Sequence, residues 1–326
     1  MRTLALRRYA FAINAAVLLV ACGARPPGVM PQTTSYAVHA GRGTSWILPE
    51  AKGASQLLYV ADAESNQVSV VKLPQGKLLG VLSGFDGPLG ECTDSGGDVF
   101  IADLQASQIW EYAHGAKSPK NILSDTGYYP VGCSLDPTTG NLAVTNEIAT
   151  GGGSGNVAIF ANASGKPKLY SDSSITQFGF CAYDDAGNLY AGGAASGNQS
   201  LFAELEKGQS KLTTLSLNAT VGGTSPMRWD GEDLAILDGD PGSLIYRFKI
   251  SGSTGTEVGL LKLHRTNGIG DFAIQEGAVY APLFDQNEVG AYAYPQGGKI
   301  LKTFFGFGEP IGTAVSILPS ERAGLK

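Results

Sequence analysis

Two acids, a histidine and a set of cysteines are the side chains of this sequence best suited to chemistry. Glu91 and Asp271 sit second in short glycine-led segments, Gly90-Glu91-Cys92-Thr93-Asp94 and Gly270-Asp271-Phe272-Ala273-Ile274. Carboxylates gathered from distant segments can hold a divalent cation such as Ca²⁺ or share acid–base work. The plainer reading makes both structural, paired with backbone amides or with Arg228. His264 is the histidine placed for catalysis, because His39 lies near the N-terminus and His114 in a turn at the other end of the repeat. Cys92, Cys133 and Cys181 read first as small buried thiols. A disulfide between neighbouring strands and a soft-metal site remain alternatives. No nucleophile elbow, H-E-x-x-H or lysine-bearing phosphate loop is present. The run Gly151 to Gly155 reads as a flexible loop, and Asp238 to Asp240 as an ordinary turn without Ca²⁺-loop spacing.

Something must bring these residues together, and the sequence supplies it as a repeat. Apolar segments end at Asp62, Asp103, Asn146, Gly193, Asp238 and Leu283, stepping along the chain by roughly 41 to 47 residues. Those ending at Asp103, Asn146 and Gly193 are preceded by a glycine-led strand that closes on an acid, as in Gly132-Cys133-Ser134-Leu135-Asp136, with more degenerate copies at Met227 to Asp230 and Gly270 to Ile274. Each of the six apolar segments is followed by a strand with apolar ends, such as Val157 to Phe160, and then by a glycine turn and a more polar strand often led by lysine. Strands dry on both faces read as continuous apolar runs, whereas an outer strand that meets water mixes its residues. The expected architecture is all-β: a six-bladed β-propeller of four-stranded antiparallel blades, its ring closed by a terminal strand. Ser45 to Glu50 (SWILPE) and Val315 to Ser320 (VSILPS) compete for that closing place, the C-terminal segment being favoured.

The unit Pro130-Val-Gly-Cys-Ser-Leu-Asp136, Gly140-Asn-Leu-Ala-Val-Thr-Asn146, Asn156-Val-Ala-Ile-Phe160 resembles the NHL and YVTN repeat propellers, and the likeness runs from about Leu57 to Leu318. It also resembles a group of bacterial lipoproteins. The resemblance implies a propeller and is nearly silent on activity. In gluconolactonase-like propellers, a Glu, Asn and Asp set from different blades holds a cation. The corresponding places here offer Cys133, Phe180 and Arg228, which make no oxygen-ligand set. The segments that lead into the glycine-led strands, with the starts of those strands, are expected to gather Phe85, Asp86, Tyr128, Tyr129, Trp229, His264, Asp271 and Glu309 on one face, with Arg228 a further ligand-binding candidate. That rim suits a sugar, a peptide or a cation, unless its aromatics simply fill gaps between blades.

The N-terminus bears on location. Arg2, Arg7 and Arg8 precede an apolar run that ends in Leu19-Val20-Ala21-Cys22, which resembles a lipobox. Residues 1–21 are therefore expected to be a lipoprotein signal peptide, 22–40 a lipidated Cys22 with a proline-rich tether, and 41–326 a single propeller domain. The address expected is the bacterial envelope, exported and held to a membrane through lipid alone. A net charge of −6 without a Lys/Arg cluster argues against nucleic acid. The leading expectation is a module that binds an envelope protein, a glycan or a small molecule without a cofactor. The alternative is a metal-assisted lactonase, hydrolase or lyase using Glu91, Asp271 and His264.

Overall fold

In the computed structural model, residues 44–195, 199–238, 243–266 and 268–318 are described. The expected signal peptide, Cys22 and the expected tether lie outside these residues, as do Gly239 and Asp240 of the expected turn after Asp238.

Strands dominate. The first group is β1 (Trp46–Ile47), β2 (Gln56–Asp62), β3 (Gln67–Lys72) and β4 (Lys77–Ser83). Next come β5 (Pro88–Thr93), β6 (Val99–Asp103), β7 (Gln108–Tyr112) and β8 (Asn121–Ser124). A third group is β9 (Tyr128–Leu135), β10 (Leu142–Ala149), β11 (Ser154–Phe160) and β12 (Lys168–Tyr170). The fourth is β13 (Gln177–Tyr183), β14 (Leu189–Ala194), β15 (Ser200–Leu205) and β16 (Thr213–Leu217). The fifth is β17 (Met227–Trp229), β18 (Leu234–Asp238), β19 (Leu244–Ser251) and β20 (Thr254–Lys262). Last are β21 (Ala273–Gln275), β22 (Ala278–Leu283), β23 (Glu288–Ala293), β24 (Gly297–Phe305) and β25 (Pro310–Ile317).

These strands form five sheets. The groups β5–β8, β9–β12 and β21–β24 are each a four-stranded antiparallel meander. The fourth and fifth groups share an eight-stranded sheet in which two such meanders meet through a short parallel pairing of β16 with β20. The first sheet runs β1-β4-β3-β2-β25, so the C-terminal strand takes its inner place and Trp46–Ile47 its outer edge. The two competing segments are thus both used, at opposite margins of one sheet. We number the four-strand units 1 to 6 in the order above, with β25 in unit 1.

The strand sequences explain their places. β2, β6, β10 and β14 are buried along nearly their whole length, whereas β8, β12, β16 and β20 are largely exposed. Cores form between consecutive units. Phe100 and Ile109 of unit 2 pack with Leu142, Val144 and Phe160 of unit 3, and similar clusters join units 3 and 4, 4 and 5, 5 and 6, and 6 and 1. Each fully buried Phe or Leu contributes about 1.5–3 kcal/mol. Units 1 and 2 also share polar contacts: the Gly115 amide donates to the Tyr59 hydroxyl (2.9 Å), and His114 Nε2 donates to the Ala54 carbonyl (2.8 Å). Backbone approach is closest here. A Cβ on Gly312 of β25 would lie 1.7 Å from the Leu89 carbonyl oxygen, and one on Gly90 would lie 2.3 Å from that of Val131. Where a glycine leads the inner strand, as at Gly90, Gly132, Gly179, Gly270 and Gly312, it is therefore a packing requirement between units.

The acids that close the inner strands organise turns. Asp136 Oδ1 accepts from the Thr138 amide (2.8 Å) and the Thr138 hydroxyl (2.7 Å), and Oδ2 accepts from Thr139. Against the effect of burial, these donors hold the Asp136 carboxyl below its usual range. A depressed folded-state value means stability that is present near neutrality and lost as pH falls through it. Asp136→Ala is expected to cost about 1–2 kcal/mol in urea denaturation at pH 7, with the difference shrinking in acid.

Candidate functional site

Short inner strands carry their side chains towards the middle of the series of units, and there the structure joins Glu91, Arg228 and Asp271. Arg228 reaches from β17 of unit 5, and its Nη2 donates to both oxygens of Asp271 at 2.7 Å. The same nitrogen donates to the Glu91 carbonyl at 3.2 Å, while Nη1 donates to the Met227 carbonyl at 2.9 Å. One guanidinium thus ties units 5, 6 and 2 together. It also stands 5.8 Å from the Phe272 ring, a cation–π distance.

The two acids differ sharply in their partners. Asp271 is fully buried and also accepts from the Phe272 amide at 2.8 Å. Burial pushes its carboxyl up to about 6, and Arg228 with the Phe272 and Thr313 amides keeps it from going higher. It is the anion of the pair at neutral pH. Glu91 is equally buried, yet neither carboxyl oxygen has a hydrogen-bond partner of normal geometry. Burial, then the negative field of Asp271, drives it well above the carboxylate range, opposed by Arg228 and the Ala314 amide. The shift favours the protonated form of Glu91, which would avoid an unpaired buried charge.

A raised folded-state value makes the native state bind the extra proton, so stability falls as pH climbs from the unfolded value near 4 through the folded one. Glu91→Gln is expected to fold and to flatten that decline by up to about 1.4 kcal/mol per pH unit, the contribution of one proton. Thermal denaturation of both proteins across pH 5–9 measures it; parallel curves would show that Glu91 is ionised in the folded protein.

The other residues singled out from the sequence scatter. His264 is exposed; its backbone amide donates to the Gly298 carbonyl, and its imidazole makes no hydrogen bond with Glu91 or Asp271 among the described residues. Tyr128 and Tyr129 open β9 half-buried, the Tyr128 carbonyl accepting from the Ser107 hydroxyl at 2.6 Å. Glu309 is exposed beside Asp62, Glu64 and Asp285; partial burial first, then those anions, raises its carboxyl. Trp229 does not join the face expected for it. It ends β17 at the turn side, with Nε1 donating to Asp185 (3.1 Å) and the ring stacked on Tyr190. Phe85 packs against Trp110 at 5.0 Å and so fills a gap in unit 2, and the Asp86 amide donates to Asp103.

The cysteines also depart from their first reading. Cys92 and Cys133 form a disulfide across the inner strands of units 2 and 3. Cys181 alone is a buried thiol, raised to about 12 by burial. Among the described residues, no group of three or more His, Cys, Asp and Glu side chains is arranged for a metal ion.

Sequence reasoning passed over a buried latch where the middle strands end. Asn146 Nδ2 donates to Asp125 (2.9 Å) and to Asn156 (3.0 Å), and the Gly308 amide donates to Asp62 at 2.6 Å. The recurring Asp or Asn at this position was the available signal. Of the expected flexible loop from Gly151 to Gly155, Ser154 and Gly155 belong instead to β11, and the β10–β11 hairpin pairs as far as Ile148 with Ser154. Glu147 lies in that hairpin, its carboxyl pushed up to about 7 by burial.

Comparison with known proteins was informative for the fold alone. No protein-family model matches the chain, and no curated protein does. Among solved structures, a chain in the crystal structure of a nidogen/laminin complex superposes with a TM-score of 0.65 at 12% identity, covering 81% of this chain and 99% of that one. That chain is a β-propeller. The fold is propeller-like. A functionally unknown protein from Desulfotomaculum acetoxidans DSM 771 matches with a TM-score of 0.57 at 11% identity, covering 80% and 99%. In this propeller-like frame, the Glu91–Arg228–Asp271 group lies on inner strands, and the latch residues sit where loops enter and leave them.

Proposed function

We propose that the six units are the blades of a six-bladed propeller closed by β25, exported and lipid-anchored through Cys22, and that it works as a binding module. Its partner is an envelope protein, a glycan or a small molecule, bound where Tyr128 and Tyr129 open β9 and Glu309 precedes β25. The observation that carries this reading is the cation already at the centre. Arg228 engages both oxygens of Asp271, leaving no carboxylate pair to hold a divalent ion. The Cys92–Cys133 bridge supports export, because structural disulfides persist in oxidising compartments.

Fractionation of cells and cross-linking in the envelope test the proposal together. The protein is expected in the membrane fraction, and Cys22→Ala is expected to release it. A specific cross-linked partner should be lost on Tyr129→Ala. Soluble wild-type protein would sink the anchor, and an unchanged partner profile in the variant would move the binding face elsewhere.

One observation favours the rival, a metal-assisted lactonase, hydrolase or lyase: neither oxygen of the buried Glu91 carboxyl has a hydrogen-bond partner of normal geometry. The two readings separate on metal. A resident cation at 100 times its Kd would add about 2.7 kcal/mol of stability. We expect chelator and millimolar Ca²⁺ each to leave Tm within about 1 °C of the untreated protein, well below the several degrees that such a gain would produce. A larger shift would favour the enzyme.

A further inference from the structure

A cleft of about 400 Å³ opens between units 6 and 1, at the end opposite the latch residues. Its origin lies in two departures from the repeat. In units 3 and 4 the inner strand closes on an acid, Asp136 or Asp184, whose side chain builds a broad turn. In unit 6, β21 returns directly into β22, with Gln275 paired to Ala278. In unit 1 no such turn exists, because β25 and β2 come from opposite ends of the sequence. Both walls are therefore cut short, and the gap between them is not filled.

What lines the gap is polar and balanced. Gln56, Gln75 and Gln275 supply amides, Lys72 a cation, Glu276 an anion, and Tyr280 an aromatic wall. Glu276 and Gly277 form the two-residue turn of the β21–β22 hairpin, and both have the positive φ (47° and 73°) that such a turn requires. At this corner the Glu276 carboxylate accepts from Gln56 Nε2 of the other wall at 2.6 Å.

We propose that this cleft binds a neutral saccharide of about two rings. A primary amide offers a donor and an acceptor side by side, which matches adjacent sugar hydroxyls. Amides on both walls alternate donors and acceptors, as a polyol requires. The single lysine is offset by Glu276, so the site lacks the clustered cations that select phosphate. The volume falls within the range of small-molecule sites. The proposal depends neither on the lipid anchor nor on the central ion pair.

Calorimetric titration of the full chain with N,N′-diacetylchitobiose and with maltose tests it. Saturable one-to-one binding of at least one disaccharide is expected, with Kd of about 1 mM or tighter. Gln75→Ala and Gln275→Ala should each weaken it by about tenfold, the loss of one or two hydrogen bonds. Gln286→Ala, whose amide donates to the Arg265 carbonyl at the other end of unit 6, should bind like wild type. Equal melting temperatures identify the variants as folded. Failure of both sugars to saturate at about 10 mM, ten times the expected Kd, would overturn the proposal. So would unchanged affinity in the two cleft variants, or displacement of the sugar by inorganic phosphate.

Discussion

Arg228→Leu is expected to lower the unfolding free energy by about 3–5 kcal/mol at pH 7, the usual cost of leaving one buried charge without its partner. The reason is local. Asp271 is completely buried, and Arg228 is the cation on both of its oxygens. Without it, Asp271 retains only amide donors, and its carboxyl moves further above the value near 6 that it already has. The variant should therefore bind a proton on folding, so its deficit grows as pH rises above about 4 and shrinks in acid. Arg228→Leu/Asp271→Asn should recover much of the loss, because the stranded charge is gone. A double-mutant cycle by urea denaturation should give a coupling of at least about 2 kcal/mol. A single-variant loss below about 1 kcal/mol would mean that water reaches the pair and that the centre is open.

The second large effect concerns the bridge between units 2 and 3. Cys92 and Cys133 are 41 residues apart in sequence, and closing a loop of that length is worth about 4 kcal/mol in the chain-entropy account. Cys92→Ala/Cys133→Ala should lose about that much, and dithiothreitol should bring wild type to the same midpoint. Cys181→Ala should cost far less, about 1 kcal/mol for a small buried group. Thiol labelling gives an independent check. Cys181, raised to about 12 and buried, should stay unlabelled until the protein unfolds. If three thiols beyond Cys22 react in the denatured, unreduced protein, the bridge is absent.

The repeat was legible because a strand packed on both faces has no freedom to be polar. Runs such as Val99 to Asp103 and Leu142 to Asn146 show this directly, and both are buried throughout. The likeness between Val315 to Ser320 and Ser45 to Glu50 pointed to both termini without deciding between them, and the structure uses both, on opposite margins of one sheet. The centre was harder. Arg228 meets Asp271 and the Glu91 carbonyl across the middle, and no spacing along the chain encodes a distance across it. The bridge depended on a stagger: Cys92 pairs with Phe100 but Cys133 with Val144, one register step apart within their own sheets. Trp229 was misplaced because Met227-Arg228-Trp229-Asp230 lacks the leading glycine that fixes direction elsewhere. A three-residue strand then put the ring at the far end. The cleft between units 6 and 1 left only a missing acid as its trace, at Gln275.

The way unit 1 is assembled also sets how the molecule would respond to force. A pull on the chain ahead of Thr44 reaches first β1, held to β4 by two residue pairs that can peel one after the other. Behind it, β2 is joined to β25 by seven pairs from Gln56–Ile317 to Asp62–Pro310. For such a pull β1 is a fuse: it releases slack before tension reaches the pairing of β2 with β25.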